Sequence, residues 1–316
     1  MRSVQLFRAY QVLARTFRTM GLKRAIRKND IRGVVRHFDL DGLGFDMLLL
    51  SHDSGLSTNL LYYDWREYRS TKFLIEDFLR KDEVVLDVGA NLGYFALIEA
   101  VFSPTNKVYA IEPVPDTYAI LELNVRLNSL TNVETFRTAI GDHNGEADFL
   151  VCEGRNFSRM ATEEDVVSPP RGCLVWKRIT VPVCTLSEFQ KRHMRHAPTM
   201  LRMDVEGHEF QIITGNETFF AQNDVGLCIE FHAVKLGKSK SVQLLRRLAA
   251  LGYAKATIVK DQPYCVLRRP LFEPPIGPDA VSTLDIQHLA SKLESMDEAR
   301  LAEWGTPSPH LFTRKG

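Results

Sequence analysis

Acidic side chains placed just past the ends of apolar runs are the chemically telling feature of this chain. The stretch Val84-Val85-Leu86-Asp87-Val88-Gly89-Ala90-Asn91-Leu92-Gly93-Tyr94-Phe95 joins a short β-branched run to a helical pattern, the context in which a glycine loop carries meaning. Gly89 permits a tight turn, and Gly93 lets the helix press on a sheet or a ligand approach the backbone. Asn91 stands where a nicotinamide-binding loop needs its middle glycine, and the Lys-Ser/Thr pair of a phosphate-cradling loop is missing. Asp87, directly before the turn, would repel a pyrophosphate seated on the helix N-terminus and suits a ligand with an amino group. Glu112 ends the next apolar run, 23 residues after Gly89, where an acid hydrogen-bonds a ribose diol. A nucleoside with an ammonium group and no phosphate describes S-adenosylmethionine (SAM). The plainer alternative makes Asp87 a helix cap and Glu112 a surface acid.

A second group lies downstream. Asp204 and Glu206 follow the apolar run 200–203 and precede Gly207. Ligands of open α/β sheets sit beyond the carboxyl ends of the strands, so this pair would face a transferable methyl group. A hydroxyl acceptor must lose its proton as a bond forms, which a general base or a metal ion assists. Capping of a helix that starts near His208 is the competing role for both carboxylates. Glu230 and His232 end another run and could join Asp204 around a divalent cation such as magnesium. His208 or His232 could instead be the base, because imidazole titrates near neutrality.

Holding these groups together requires strands that all end on one side. From residue 84 the pattern alternates: strands at 84–88, 107–111 and 133–140, helices at 92–101 and 116–128. Such alternation implies a parallel sheet with right-handed crossovers. Further strands are expected at 145–151, 179–183, 200–203 and 225–232, with helices at 185–193, from 208, and at 239–251. A final antiparallel pair at 253–259 and 264–268 would close the sheet edge, followed by a Pro-rich stretch at 270–279 and a helix at 281–302. Residues 152–177 lack periodicity and read as a loop or lid. The chain therefore divides into a helical extension (1–36), strands and a helix packing on the core (37–80), a cofactor-binding domain (81–269) and a C-terminal segment (270–316).

The chain has 316 residues, 45% apolar and 25% charged, with no apolar stretch of membrane-span length, which excludes a disordered chain and a membrane-spanning helix. A formal charge of +1 argues against a chain-wide nucleic-acid surface, and no specific nucleic-acid partner is expected. Residues 1–36 nevertheless carry ten basic side chains and one acid. Leu6, Tyr10, Leu13, Phe17 and Met20 follow helical spacing there. A helix docked on the acidic remainder, peripheral contact with an anionic membrane, and organelle targeting all remain open. Five scattered cysteines without a Cys-x-x-Cys pair read as free thiols of a reducing, cytoplasmic compartment.

Leu86-Asp87-Val88-Gly89-Ala90-Asn91-Leu92-Gly93, Ile111-Glu112-Pro113, Ala139-Ile140-Gly141-Asp142 through Gly145, Leu201-Arg202-Met203-Asp204-Val205-Glu206-Gly207-His208-Glu209 and Ile229-Glu230-Phe231-His232 resemble the motifs of the FkbM family of SAM-dependent methyltransferases. The resemblance covers about residues 67–268. It implies a doubly wound α/β fold, the mostly parallel seven-stranded sheet of class I methyltransferases, Rossmann-like. It also implies cofactor contacts at Asp87, Gly89, Asn91, Gly93, Glu112 and Ala139, and an acceptor hydroxyl on a sugar, glycolipid or secondary metabolite. Asp204 would then act as base or substrate ligand, Glu206 would position it, and His232 would belong to the same catalytic set. Ser187, where the family often has Asp, and segment 152–177 depart from the pattern. The rival readings are a nicotinamide-dependent oxidoreductase and a SAM-binding scaffold without turnover.

Overall fold

The computed structural model describes residues 33–40, 42–50, 56–57, 60, 68–152, 158–161, 176–261, 280–306 and 308–316. The basic segment 1–32, most of 152–177, the strand expected at 264–268 and the Pro-rich 270–279 lie outside these residues. The strands are β1 (Gly33–Leu40), β2 (Leu43–Leu50), β3 (Val84–Val88), β4 (Lys107–Ile111), β5 (Val133–Phe136), β6 (Ala139–Ile140) and β7 (Gly145–Cys152). They continue as β8 (Arg159–Met160), β9 (Trp176–Cys184), β10 (Met200–Met203), β11 (Gly226–Glu230), β12 (Lys255–Val259), β13 (Val281–Asp285) and β14 (His310–Thr313). The helices are α1 (Tyr68–Phe73, continued by a π turn), α2 (Tyr94–Phe102), α3 (Pro115–Leu127), α4 (Leu186–His193), α5 (Glu209–Gly215), α6 (Glu217–Gln222), α7 (Ala233–Ala250), α8 (Ile286–Glu294) and α9 (Glu298–Trp304).

Eight strands form the central sheet in the order β13-β12-β14-β11-β10-β3-β4-β5. The five from β11 to β5 pair in parallel. β14 runs antiparallel between β11 and β12, completing seven strands, and β13 adds an antiparallel edge. Because side chains alternate along a strand, the sheet buries two faces. Leu86, Val88, Leu201, Met203, Leu227 and Ile229 enter one core; Val85, Val108, Ala110, Met200 and Cys228 enter the other. Cys184 and Cys228 are buried and stand in no disulfide.

The C-terminal part differs from the expected single helix at 281–302. Val281–Asp285 is a strand whose Asp285 ends it by capping α8, accepting from the His288 amide at 3.0 Å. Asp297 restarts the helix as α9 by the same device, accepting from the Arg300 amide at 2.8 Å. Apolar spacing alone does not register such internal caps. β14 escaped the sequence pattern altogether, because four residues become a strand only through pairing with β11 and β12.

The N-terminal hairpin β1–β2 is fastened by two asparagines of the α3 region. Asn124 is fully buried. It accepts from the Leu48 amide at 2.7 Å and donates to the Leu48 and Leu92 carbonyls at 3.3 and 2.8 Å. Asn128 does the same for Asp46, at 2.7 and 2.6 Å. A separate four-stranded sheet, β6-β9-β7-β8, sends Phe149 and Met160 toward the carboxyl ends of the main strands. Among the described residues no helix is long and apolar enough to cross a membrane.

Candidate active site

The chain turns sharply at Gly89, with φ +83°. A Cβ there would stand 1.9 Å from the Asp204 carbonyl oxygen, so only glycine lets β3 and β10 end side by side. The Gly89 and Ala90 amides donate to the Ile111 carbonyl at 3.0 and 2.9 Å, and the Asp204 amide donates to Val88 at 3.0 Å. Three strand ends are thereby clamped around one point. Asn91 also takes a left-handed conformation, φ 53°, which aims its amide at Glu112. That amide donates to Oε2 at 3.1 Å, and the Val114 amide donates to Oε1 at 2.8 Å. Each carboxylate oxygen keeps a lone pair, enough to receive both hydroxyls of a diol. Burial pushes the Glu112 carboxyl up to about 7, against the pull of these two amides. The Asn91 Oδ1 is buried and has no hydrogen-bond partner among the described residues.

Asp87 does not stand where the sequence reading put it. It is fully buried behind the cleft wall, and its Oδ1 accepts from Arg202 Nη1 at 3.0 Å. β3 and β10 are parallel neighbours with Asp87 opposite Arg202, and alternation turns both side chains to the α2 face. There the guanidinium lies over the Phe95 ring, 3.7 Å from its centroid. The expected direct contact between Asp87 and a ligand ammonium is corrected: Asp87 is paired with Arg202 behind the wall, and the group that reaches the cleft is the Arg202 cation. Burial raises the Asp87 carboxyl while Arg202 opposes the rise. Arg202 was missed as a functional residue, although it sits inside a quoted motif. Its signal, a lone cation in an apolar four-residue strand, becomes readable once β10 is known to adjoin β3. Gly93 is likewise absent from the cleft wall. Its φ of +95° starts α2, and a Cβ there would meet Leu121 Cδ1 at 2.7 Å, so its role is close packing.

Opposite Glu112 lie the β10 and β11 ends. Asp204, Glu206 and Glu230 line the cleft. Glu206 and Gly207 are both left-handed, φ 57° and 102°, a conformation that costs of order 1–3 kcal/mol for a non-glycine residue. Lys235 pairs with the Glu206 carboxylate. The helix-capping alternative fails here, because α5 begins at Glu209 with His208 as its cap residue and no capping side chain. His232, 3% exposed, stands behind these acids. Its Nδ1 meets Glu209 Oε1 at 2.6 Å, and its Nε2 faces Glu206, Glu230 and Asp204 oxygens at 3.4, 3.6 and 3.9 Å.

Charge assigns proton roles within this group. Burial alone would depress the His232 imidazole, but Glu209, Glu230 and Asp204 outweigh it and push the value up to about 10. In the metal-free protein these acids favour the imidazolium form of His232. Burial would raise the Asp204 carboxyl, yet Arg202 and His232 together hold it below the usual carboxylate range. His208 lines the cleft, burial keeps its imidazole below the ordinary value, and its Nε2 lacks a hydrogen-bond partner among the described residues. Of the two histidines, His208 is the one that stays neutral.

The cleft spans about 1100 Å³, open solvent included. It gathers Gly89, Asn91, Glu112 and Ala139 on one side with Asp204, Glu206 and His208 on the other. Asp87, Gly93 and His232 lie behind its surface. A parallel sheet with the antiparallel β14 inserted between β11 and β12, a glycine turn and an acid ending the second of its parallel core strands define a class I SAM-dependent methyltransferase. More particularly, the chain belongs to the methyltransferase FkbM domain family, whose model matches residues 87–254. It is similar to the hexuronic acid methyltransferase AglP of Haloferax volcanii, with 26% identity over 63% of this chain and 75% of that one. It is also similar to the 2-O-methyltransferase NoeI of Sinorhizobium fredii, with 26% identity over 44% of this chain and 59% of that one. The chain spans about a third of the length of another relative, the tRNA wybutosine-synthesizing protein 2 homolog of Danio rerio (27% identity; 45% of this chain, 34% of that one). The solved structure of methyltransferase FkbM from Methylobacillus flagellatus aligns with a TM-score of 0.36 and 17% identity, over 53% of this chain and 38% of that one.

Proposed function

We propose that this chain is a SAM-dependent O-methyltransferase acting on a hydroxyl of a sugar, glycolipid or other small molecule. The observation that carries the reading is the meeting, in one cleft, of Glu112 and the Asn91 turn with the acids at the β10 and β11 ends. Bound SAM supplies an electrophilic methyl group on sulfur, which passes to an acceptor oxygen as the carbon–sulfur bond breaks. Glu112 holds the ribose diol, and Gly89 leaves room for the nucleoside against the backbone. Asn91 offers an unused amide oxygen beside it, while Ala139 and Ile140 supply apolar wall. Asp204, ionised before the reaction, accepts a hydrogen bond from the acceptor hydroxyl, which fixes its direction of approach, and takes the hydroxyl proton as the new carbon–oxygen bond forms. Glu206, held by Lys235, shapes the same side. A divalent cation such as magnesium would further acidify that hydroxyl.

The acceptor class is supported by the names of two relatives, a 2-O-methyltransferase and a hexuronic acid methyltransferase. Calorimetry with SAM, followed by transfer of labelled methyl to a panel of uronic acids, oligosaccharides and glycolipids, tests the proposal. Binding of SAM with label appearing only in hydroxyl-bearing acceptors is the expected result. Label on nitrogen or carbon would overturn the O-acceptor assignment, and absence of SAM binding would overturn the cofactor assignment.

A further inference from the structure

We infer that Asp204, Glu230 and His232 form a binding site for one divalent cation of the magnesium–manganese type, with Glu209 orienting the histidine. One donor atom from each of the three side chains lies within 4.8 Å of the others. Donors held at roughly 2.1 Å by one octahedral cation stand about 3 Å apart when adjacent and about 4.2 Å apart when opposite. The separations from His232 Nε2 to Glu230 and Asp204, 3.6 and 3.9 Å, fall between those limits. The side chains therefore need only small rotations to share a metal.

Two independent features distinguish this set from an ordinary acidic patch. The first is the buried Glu209–His232 contact of 2.6 Å through Nδ1. Metal-binding histidines nearly always bond a carboxylate or carbonyl through the ring nitrogen away from the metal, which fixes the other nitrogen on its target. Here that other nitrogen points at the carboxylates on the cleft side. The second is Asp204 Oδ1, a buried oxygen that accepts no hydrogen bond among the described residues. An unsatisfied anionic oxygen is costly unless a cation or donor reaches it.

Two carboxylates and one imidazole match a hard, six-coordinate ion that fills its remaining positions with water or substrate oxygen. Asp204 and Glu230 line the cleft, so those remaining positions open toward the acceptor side. The cation would bind the acceptor hydroxyl and lower its pKa. Only this last role rests on the methyltransferase reading; the binding itself does not.

The test uses the full chain, stripped with chelator and titrated with Mn²⁺ under electron paramagnetic resonance. One Mn²⁺ per chain is expected, with a nitrogen hyperfine coupling from the imidazole. Glu230→Gln, which keeps the side-chain shape, should weaken Mn²⁺ at least tenfold, and His232→Asn should remove the nitrogen coupling. Circular dichroism and SAM calorimetry on both variants establish that they are folded. Sub-stoichiometric Mn²⁺, affinity unchanged in Glu230→Gln, or no nitrogen coupling in the wild type would each overturn the site. SAM binding in metal-free protein is read in parallel. If SAM binds while Mn²⁺ does not, the cation site fails alone; if SAM does not bind, the methyltransferase reading fails, whatever the metal does.

Discussion

Glu112 gives the sharpest quantitative expectation. Its carboxyl is pushed by burial from the ordinary glutamate value of 4.5 up to about 7. Since the raised value belongs to the folded state, the stabilising condition is the protonated one. That contribution is complete below about pH 4.5 and is lost as pH rises through about 7. That rise in the carboxyl value amounts to about 3 kcal/mol, the cost of ionising this buried group in the SAM-free protein. Glu112→Gln removes the ionisation and gives up one of the two amide bonds, worth about 1 kcal/mol. The variant should match wild-type stability near pH 5 and exceed it by about 2 kcal/mol at pH 8. Chemical denaturation of the SAM-free protein at both pH values measures this.

SAM affinity should move the opposite way. If the diol needs the ionised carboxylate, the competent fraction is about a tenth at pH 6 and about nine-tenths at pH 8. Wild-type affinity should then rise about ninefold between those values. Glu112→Gln should bind about tenfold or more weakly at pH 8, for the loss of a charge-assisted bond. It should also lack the ninefold pH step, which separates Glu112 from the titration of SAM itself. A variant that destabilises the protein at pH 8, or one that retains the wild-type pH step, would refute the reasoning.

Three further outcomes follow from the same geometry. Asp204→Asn should keep SAM binding and lower single-turnover methyl transfer by about 10²–10⁴-fold, because the capping role that Asn could fill is not the one Asp204 has. Gly89→Ala should abolish SAM binding and lower the melting temperature, since the new Cβ would collide with the Asp204 carbonyl, and a normal thermal melt would contradict that contact. In metal-free protein, the raised His232 value means stability that is full below about pH 6.5 and is lost toward about pH 10; Glu209→Gln should flatten that decline, worth a few kcal/mol in wild type, in denaturation measured at pH 6 and pH 10.

Much of the glycine-turn side of the cleft was legible because its signals are local. A glycine turn following a β-branched run, and an acid ending the next run, are separated by the fixed length of one βαβ unit, so Gly89, Asn91 and Glu112 could be placed without knowing the sheet order. The errors arise where partners are distant in sequence. Asp87 looks like a free carboxylate until Arg202, 115 residues later, is laid beside it. His232 looks like a lone imidazole until Glu209, 23 residues earlier, returns beneath it. The edge failed for the same reason: Val281–Asp285 alternates as weakly as a helix does, and only pairing with β12 decides its state.

Arg202 shows why the two halves of this site are not independent. Its guanidinium binds Asp87 at 3.0 Å and reaches Asp204 at 3.5 Å. One buried cation therefore serves the β3 end, where the glycine turn begins, and the β10 end, where the acceptor is expected. Removing Arg202 would leave Asp87 buried without its charge partner, a loss that typically costs several kcal/mol. It would also release the brake on the Asp204 carboxyl, raising its proton affinity. A defect at Arg202 would thus present as instability, weak cofactor binding and altered proton transfer at once. Strand alternation produces this coupling. Positions 87 on β3 and 202 on β10 are register partners on one face, and Asp204 is the next residue of that parity, just past the strand end. The spacing that lets Asp204 reach the cleft is the spacing that ties it to the cofactor floor.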